Sequence, residues 1–378
     1  MTNIAFTGGG TGGHIYPGLA VAGALKERLD AAGLSHGIFW IGADKGMDRE
    51  IVQRAGIEFH GVPAGKLRRY FSLKTIPDAF RVAAGFFAAR RILKKRGARL
   101  LFSKGGFVSV PPCAAAASLG IPVLTHESDF SPGLASRINL RFARRRGGVF
   151  FMAYEETARF LAEADKGVAR VAGNPVRRAF RRADPERGRA FLGLRPGERL
   201  LLILGGSQGA REVNDLARAC LGALRERYVV AHQTGNAEGS AREPGYIPLP
   251  YIGEEMPDVL AAAEIVIGRS GAGTVWECAT LGKPMILIPL SGSGTRGDQV
   301  ENARFFEKAG AAIVFAGEQA TAENLSRAVA DLAGDPAARE RMSAAAARIG
   351  SLDGAEIVSA EIEKILRKCA EESGGPRR

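Results

Sequence analysis

The sequence predicts an α/β protein made of two Rossmann-like domains in tandem, each built on a parallel sheet. Three observations carry this. Short apolar runs alternate with helical patterns along the chain, as parallel βα units require. The succession strand, glycine-rich turn, helix begins near residue 3 and begins again near residue 200. A chain of 378 residues is also too long for one ordinary core, at roughly 150 residues per domain.

In order, Asn3 to Thr7 reads as the first strand, Gly8 to Gly13 as a turn, and Tyr16 to Ala31 as a helix with apolar residues at helical spacing. Gly37 to Ile41, Leu100 to Ser103 and Pro122 to Thr125 continue as strands. The Asn-Pro step in Gly173-Asn174-Pro175-Val176-Arg177 is a turn signal that stops a helix, so a first domain is expected over 1–174 and a second over 175–352. In the second, Leu200 to Leu204 is a strand, Gly205 to Gly209 a turn and Ala210 to Leu224 a helix; Val229 to Gln233, Glu264 to Gly268 and Pro284 to Pro289 follow as strands. After the break at Gly350 to Gly354, Ala355 to Cys369 reads as a helix within a 353–378 segment; periodicity alone leaves open its return to the first domain.

Apolar residues make up 46% and charged residues 24%, which argues against disorder everywhere except the extreme C-terminus, Glu371 to Arg378. Cys113, Cys220, Cys278 and Cys369 are too scattered for a zinc or redox motif or a disulfide framework, and fit a reducing cytosol. The N-terminus shows no signal-peptide pattern, and no run of 18 apolar residues predicts a membrane span. The net charge of +12 is uneven: from Lys66 to Arg99 there are eleven Lys and Arg (Lys66, Arg68, Arg69, Lys74, Arg81, Arg90, Arg91, Lys94, Lys95, Arg96, Arg99) against one acid, Asp78. A local excess of this kind indicates a docking surface, whereas a general one would indicate nucleic acid. Pro77 to Leu93 interleaves Phe80, Val82, Phe86, Phe87 and Ile92 with Arg81, Arg90 and Arg91, a surface suited to an anionic leaflet; Arg137, Arg141, Arg144, Arg145 and Arg146 extend it. The competing reading is a solvated helix face with its aromatics turned to the core.

Both glycine turns lie between a strand and a helix N-terminus, where backbone N–H groups and the helix dipole favour an anion. Gly8, Gly10 and Gly13 match the dinucleotide fingerprint, but the acid expected about 20 residues on, to hold a ribose, is absent from a suitable place. Glu27 and Asp30 fall inside the helix pattern, and Asp44 lies further on. His14 directly follows the first turn and is a candidate base, since a neutral imidazole works near pH 7; Glu127 is the second candidate, with His126 orienting its neighbours. Ser207 adds a hydroxyl donor to the second turn. Gly268 to Glu277 is a third strand–turn–helix, and Glu277 is placed either to chelate two ribose hydroxyls or to complement the helix dipole. No Asp-x-Asp motif suits a nucleotide-bound divalent ion, so no protein-held metal and no cofactor are expected.

These segments, together with Gly105-Gly106-Phe107-Val108-Ser109, His126-Glu127-Ser128-Asp129, Gly205-Gly206-Ser207-Gln208-Gly209-Ala210 and Asp298-Gln299-Val300-Glu301-Asn302-Ala303, resemble in order the MurG family. Its members are UDP-N-acetylglucosamine transferases acting on undecaprenyl-pyrophosphoryl-muramoyl-pentapeptide. The resemblance runs from the N-terminus to about residue 303. It implies a GT-B fold, with two Rossmann-like domains facing a cleft, and inverting transfer of GlcNAc from UDP-GlcNAc to the 4-hydroxyl of the muramoyl sugar. It further implies that Ile252 offers its backbone to the uracil, that Glu277 holds the ribose, and that Ser207 with Ala272, Gly273, Thr274, Val275 and Trp276 binds the pyrophosphate. Arg177 is implied on the donor side of the junction, Gln299 and Asp129 at sugar hydroxyls, and Thr11, Gly12 and Gly13 near the reacting centre and the acceptor diphosphate. Asp129 stands where the family often has Asn, Ser128 where it has Gln, and Phe107 where Tyr is frequent; Gly297-Asp298 before Gln299 also departs from the family pattern. The implied partners are UDP-GlcNAc, the lipid-linked muramoyl-pentapeptide and an anionic membrane surface touched by Lys66–Arg99. The implied place is peripheral, on the cytoplasmic face of the inner membrane. Rival readings are a UDP-sugar transferase with a diacylglycerol-type acceptor, a nicotinamide oxidoreductase and a nucleic-acid-binding protein; no nucleic-acid partner is expected.

Overall fold

The computed structural model describes residues 2–65, 75–145, 147–205, 210–235, 242–292 and 296–374. Lys66, Arg68, Arg69, Lys74, Arg146, Ser207 and the rest of 206–209 lie outside the described residues. The chain forms two compact units, Met1–Arg177 with Asp353–Arg378, and Arg178–Leu352.

The first unit holds β1 (Thr2–Thr7), β2 (His36–Ala43), β3 (Glu58–Val62), β4 (Ala98–Ser103), β5 (Val123–Glu127), β6 (Val149–Met152) and β7 (Ala169–Val171). They pair in parallel in the order β3-β2-β1-β4-β5-β6-β7. The second holds β8 (Leu200–Leu204), β9 (Val229–Gln233), β10 (Tyr246–Leu249), β11 (Ile265–Gly268), β12 (Met285–Leu287) and β13 (Ala312–Val314). Their order is β10-β9-β8-β11-β12-β13, again parallel. Helices cover both faces of such sheets, so the strands are continuous apolar runs: every residue of Leu200-Leu201-Leu202-Ile203-Leu204 is buried. The helix Arg211–Arg225 is amphipathic, burying Val213, Asn214, Ala217, Cys220 and Leu224 at helical spacing.

In each sheet the strand order reverses direction once, between β1 and β4 and between β8 and β11. Crevices beyond the carboxyl ends of strands at such points are where α/β proteins place ligands.

The first helix, α1, spans Gly12–Ala31, starting four residues before the expected Tyr16. Glycines discourage helix but are tolerated in a first turn. Thr11, in extended backbone, is the N-cap, and Gly12, Gly13 and His14 make the opening turn. The helix Gly354–Gly374 packs on α1 in the first unit. Its Val358, Ile362 and Leu366 enter the core around Ile4, Phe6, Ile15 and Trp40, while Glu356 and Glu363 pair with Arg28 of α1. Among the described residues no helix is long and apolar enough to cross a membrane.

Candidate active site

At the first reversal point, the β1–α1 loop is pinned by side chains from elsewhere in the unit. Trp40, fully buried in β2, donates its indole N–H to Gly8 O at 3.0 Å. Gly10 N–H donates to both carboxylate oxygens of Asp48, at 3.0 and 3.2 Å. Asp48 opens α2 (Asp48–Arg54) and is 1% exposed. Gly8 and Gly10 adopt φ of +150° and +85°, a path open to glycine.

The adjacent β4 ends at Ser103 and is followed by Lys104, Gly105 and Gly106. Gly105 and Gly106 have φ of +84° and +77°, and the His14 ring packs on them. A Cβ added to Gly106 would lie 2.8 Å from Gly9 O and 3.0 Å from His14 Cδ2. Asn139 of α5 (Leu134–Ala143) holds this loop from below, donating to Ser103 Oγ at 3.2 Å and Ser109 Oγ at 2.8 Å. Ser103 Oγ accepts Gly105 N–H, and Ser109 Oγ donates to Gly106 O.

Lys104 is buried beneath the same loop. Its Nζ donates to Ser128 Oγ, and Ser128 Oγ donates to Asn174 Oδ1 at 2.6 Å. Burial pushes the Lys104 pKa down to about 8, with Glu127 and Asp129 pulling it back up. Glu127 has both carboxylate oxygens engaged: Oε1 accepts Asp129 N–H and Oε2 accepts Gly133 N–H, each at 2.9 Å. His126 is fully buried with Nε2 2.8 Å from Gly173 O, and burial, then the Lys104 charge, hold its pKa well below the ordinary imidazole value. Asp129 is half-buried at the end of this turn. Arg177 belongs to the first unit, where its guanidinium carbon lies 5.0 Å from the centre of the Tyr16 ring on α1. Thr11 and Gly13 are exposed and Gly12 half-buried at the start of α1.

At the second reversal point, the helix Ala272–Thr280 follows β11 after Arg269, Ser270 and Gly271. Its backbone ladder opens with Val275 N–H bonding to Gly271 O at 3.2 Å, so the first turn is Ala272, Gly273 and Thr274. Val275 and Trp276, expected with this turn at the pyrophosphate, have side chains that are 0% and 2% exposed, and Trp276 packs edge-on against Phe306. Apolar side chains at helical spacing from Cys278 and Ala279 belong to the buried face. Glu277 is half-buried on the next turn of the same helix.

The helix Asp298–Lys308 is joined to this start. Ser270 Oγ donates to Gln299 O at 2.7 Å, and Asn302 Nδ2 donates to Ser270 O at 3.2 Å. Gln299 Oε1 accepts Leu290 N–H at 2.9 Å, which ties the loop after β12 to that helix. Arg269 pairs with Glu212, at the start of the helix after the second glycine turn, at 2.9 Å. Ile252 donates its N–H to Gln233 Oε1 at 3.0 Å. Among the described residues no group of three or more His, Cys, Asp or Glu is placed to hold a metal ion.

Trp40, Asp48, Lys104 and Asn139 were not singled out from the sequence. Each bonds to a segment far from it in the chain, Trp40 and Lys104 from strand β2 and the loop after β4, Asp48 and Asn139 from helices.

Residues 4–147 match the glycosyltransferase family 28 N-terminal domain, and residues 200–358 the C-terminal domain of the same family. The UDP-N-acetylglucosamine–N-acetylmuramyl-(pentapeptide) pyrophosphoryl-undecaprenol N-acetylglucosamine transferase of Treponema denticola is 48% identical over 354 residues, 88% of each chain. The Treponema pallidum protein of the same name is 42% identical over 377 residues, covering 97% of this chain and 96% of that one. The crystal structure of Acinetobacter baumannii MurG superposes with a TM-score of 0.69 at 25% identity, covering 96% of this chain and all of the other.

Proposed function

We infer that this chain, which belongs to glycosyltransferase family 28, transfers GlcNAc from UDP-GlcNAc to the 4-hydroxyl of undecaprenyl-pyrophosphoryl-muramoyl-pentapeptide, with inversion at the sugar. The observation that carries this is 48% identity, over 88% of both chains, with a transferase of that name. Two Rossmann-like units with a helix start at each strand-order reversal agree with it. A diacylglycerol-type acceptor finds no support in any relative described above.

In the reaction, the acceptor oxygen forms a bond to the anomeric carbon as the bond from that carbon to the UDP β-phosphate oxygen breaks. His14 takes the hydroxyl proton. Its packing on Gly105–Gly106 fixes the ring, whereas Glu127 spends both oxygens on backbone N–H groups and serves the turn that carries Asp129. In the second unit, the first turn of Ala272–Thr280 stabilises the charge growing on the leaving diphosphate, with Ser207 adding a hydroxyl. Glu277 accepts hydrogen bonds from the ribose. Ile252, whose N–H is engaged by Gln233, meets the uracil through its carbonyl. Gln299 and Asp129 bind sugar hydroxyls; an anionic Asp129 accepts but does not donate. In the first unit, Thr11, Gly12 and Gly13 at the start of α1 take the acceptor's diphosphate; Arg177, expected on the donor side, lies against Tyr16 of that helix.

The membrane contact falls on α3 (Thr75–Arg96). Ala89 and Leu93 are buried, while Phe80 and Phe87 are 73% and 68% exposed, with Arg81, Arg90, Arg91, Lys94 and Lys95 exposed beside them. An apolar stripe flanked by cations suits an anionic leaflet, each basic residue contributing about 1 kcal/mol. This surface supports a peripheral protein on the cytoplasmic face of the inner membrane, where the lipid-linked acceptor is presented.

The test is transfer of labelled GlcNAc from UDP-GlcNAc to a short-chain lipid-linked muramoyl-pentapeptide. Wild type should form product, and His14→Ala should lose most of kcat. Absence of product with wild type, under conditions in which it binds UDP, would refute the acceptor assignment.

A further inference from the structure

A glycine-rich turn between a strand and a helix ordinarily turns its amides toward a ligand's phosphates. In the first unit one of these amides is already committed. Gly10 N–H reaches Oδ1 and Oδ2 of Asp48 at 3.0 and 3.2 Å, and Asp48 Oδ2 lies 3.4 Å from Ala43 N–H. The carboxylate lies so close to the loop that a Cβ on Gly9 would come 1.9 Å from Oδ2. Asp48 is 1% exposed, and no cation pairs with it among the described residues. Burial raises its pKa, and the amides of Gly10 and Ala43 work against that rise. The charge is thus compensated by backbone dipoles, as a bound phosphate's would be.

We propose that Asp48 is a positioning residue, a built-in anion that fills the Gly10 amide, sets the path of Gly8–Gly10 and hence of the α1 start, and leaves the acceptor's diphosphate to the amides of the α1 first turn. The proposal rests on the acceptor reading given above and extends it. A second anion at Gly10 would have to share one N–H with a carboxylate that already holds it, so a nucleotide diphosphate lying along the whole loop, as in a dinucleotide enzyme, is excluded. Trp40 holds Gly8 O and Asp48 holds Gly10 N–H, so the two ends of the loop are fixed independently. Removal of the carboxylate both loosens the second anchor and exposes an empty anion site beside the acceptor position.

The experiment compares wild type, Asp48→Asn and Asp48→Ala in the full chain. KM is measured separately for UDP-GlcNAc and lipid acceptor, with and without millimolar acetate, and inorganic pyrophosphate binding is measured by calorimetry without acceptor. For Asp48→Ala, acceptor KM should rise about tenfold, the scale of one hydrogen bond to a charged group. UDP-GlcNAc KM should stay near the wild-type value, acetate should restore part of the loss, and pyrophosphate should bind more tightly than to wild type. Asp48→Asn keeps one oxygen for Gly10 N–H and should fall between; it carries the test if Asp48→Ala does not fold. Variants with wild-type acceptor KM and pyrophosphate affinity would overturn the proposal. So would a loss shared equally by both substrates and unmoved by acetate. A wild type that transfers no GlcNAc refutes the acceptor reading instead, and the pyrophosphate comparison still decides whether Asp48 fills an anion site.

Discussion

His14 and Gly106 are in contact across the β1–β4 reversal point, with room for a hydrogen but not for a methyl: a Cβ on Gly106 would stand 3.0 Å from the imidazole Cδ2 and 2.8 Å from Gly9 O. Gly106 also has φ of +77°, where an L side chain costs about 1–2 kcal/mol. Gly106→Ala should therefore push the ring off its seat and lower kcat by about tenfold or more, the effect of misplacing a general base. UDP affinity, measured by calorimetry, should not move. Equal kcat in the two proteins would show that the imidazole does not need this seat.

Glu277 is assigned to the ribose. Glu277→Gln should raise KM for UDP-GlcNAc by about 10- to 100-fold, the loss expected when a charged hydrogen-bond acceptor is neutralised. Wild type should discriminate against 2′-deoxyribose UDP-GlcNAc, and the variant should not. If the variant discriminates as strongly as wild type, the carboxylate does not contact the ribose.

Phe80 and Phe87, at 73% and 68% exposure, hold little of the fold together. Replacing both with Ser should leave the melting temperature within about 2 °C, as expected of a surface change. Binding to vesicles containing anionic phospholipid should weaken by about tenfold or more, each ring being worth about 1.5–3 kcal/mol when fully buried. Undiminished vesicle binding would move the membrane contact away from α3.

His232 is fully buried in the second unit, with Nε2 3.0 Å from Asn214 Oδ1 and Nδ1 3.0 Å from Tyr246 Oη. Burial, then the charge of Arg218, lowers its pKa from 6.5 to about 4. Below pH 6.5 the unfolded chain takes a proton that the folded one refuses, so stability falls as pH drops from 6.5 to about 4. The full loss is on the order of 3 kcal/mol. Buried His126 acts in the same direction in the first unit. Urea denaturation at neutral and acid pH, followed by a probe in the second unit, should show a smaller acid loss in His232→Gln than in wild type.

The strands at the middle of each sheet were legible because burial on both faces leaves only apolar residues; Leu200–Leu204 is the plainest case. The edge strands β3, β7, β10 and β13 and the near-edge β6 were not, being short and, in Glu58–Val62, mixed with His and Gly. The first turn of α1 was read as loop because five glycines between Gly8 and Gly13 precede His14, whereas the helix already begins at Gly12. The glycine turns marked both reversal points. Their wiring was illegible: Asp48 and Lys104 have no local pattern, and each gains its role from a loop supplied by another strand. In Ala272–Trp276 the motif was visible, but a linear reading does not show that the side chains of Val275 and Trp276 belong to the core.

The packing of Val358, Ile362 and Leu366 beside Ile4 and Phe6 imposes an order on biosynthesis. The Arg178–Leu352 unit is synthesised in full before the helix that completes the interior of the earlier unit. The earlier unit therefore cannot complete its core until the whole of the later one has been made, so it does not mature ahead of the unit that follows it in the chain. Until the last helix arrives, the half-finished N-terminal sheet presents apolar surface to chaperones.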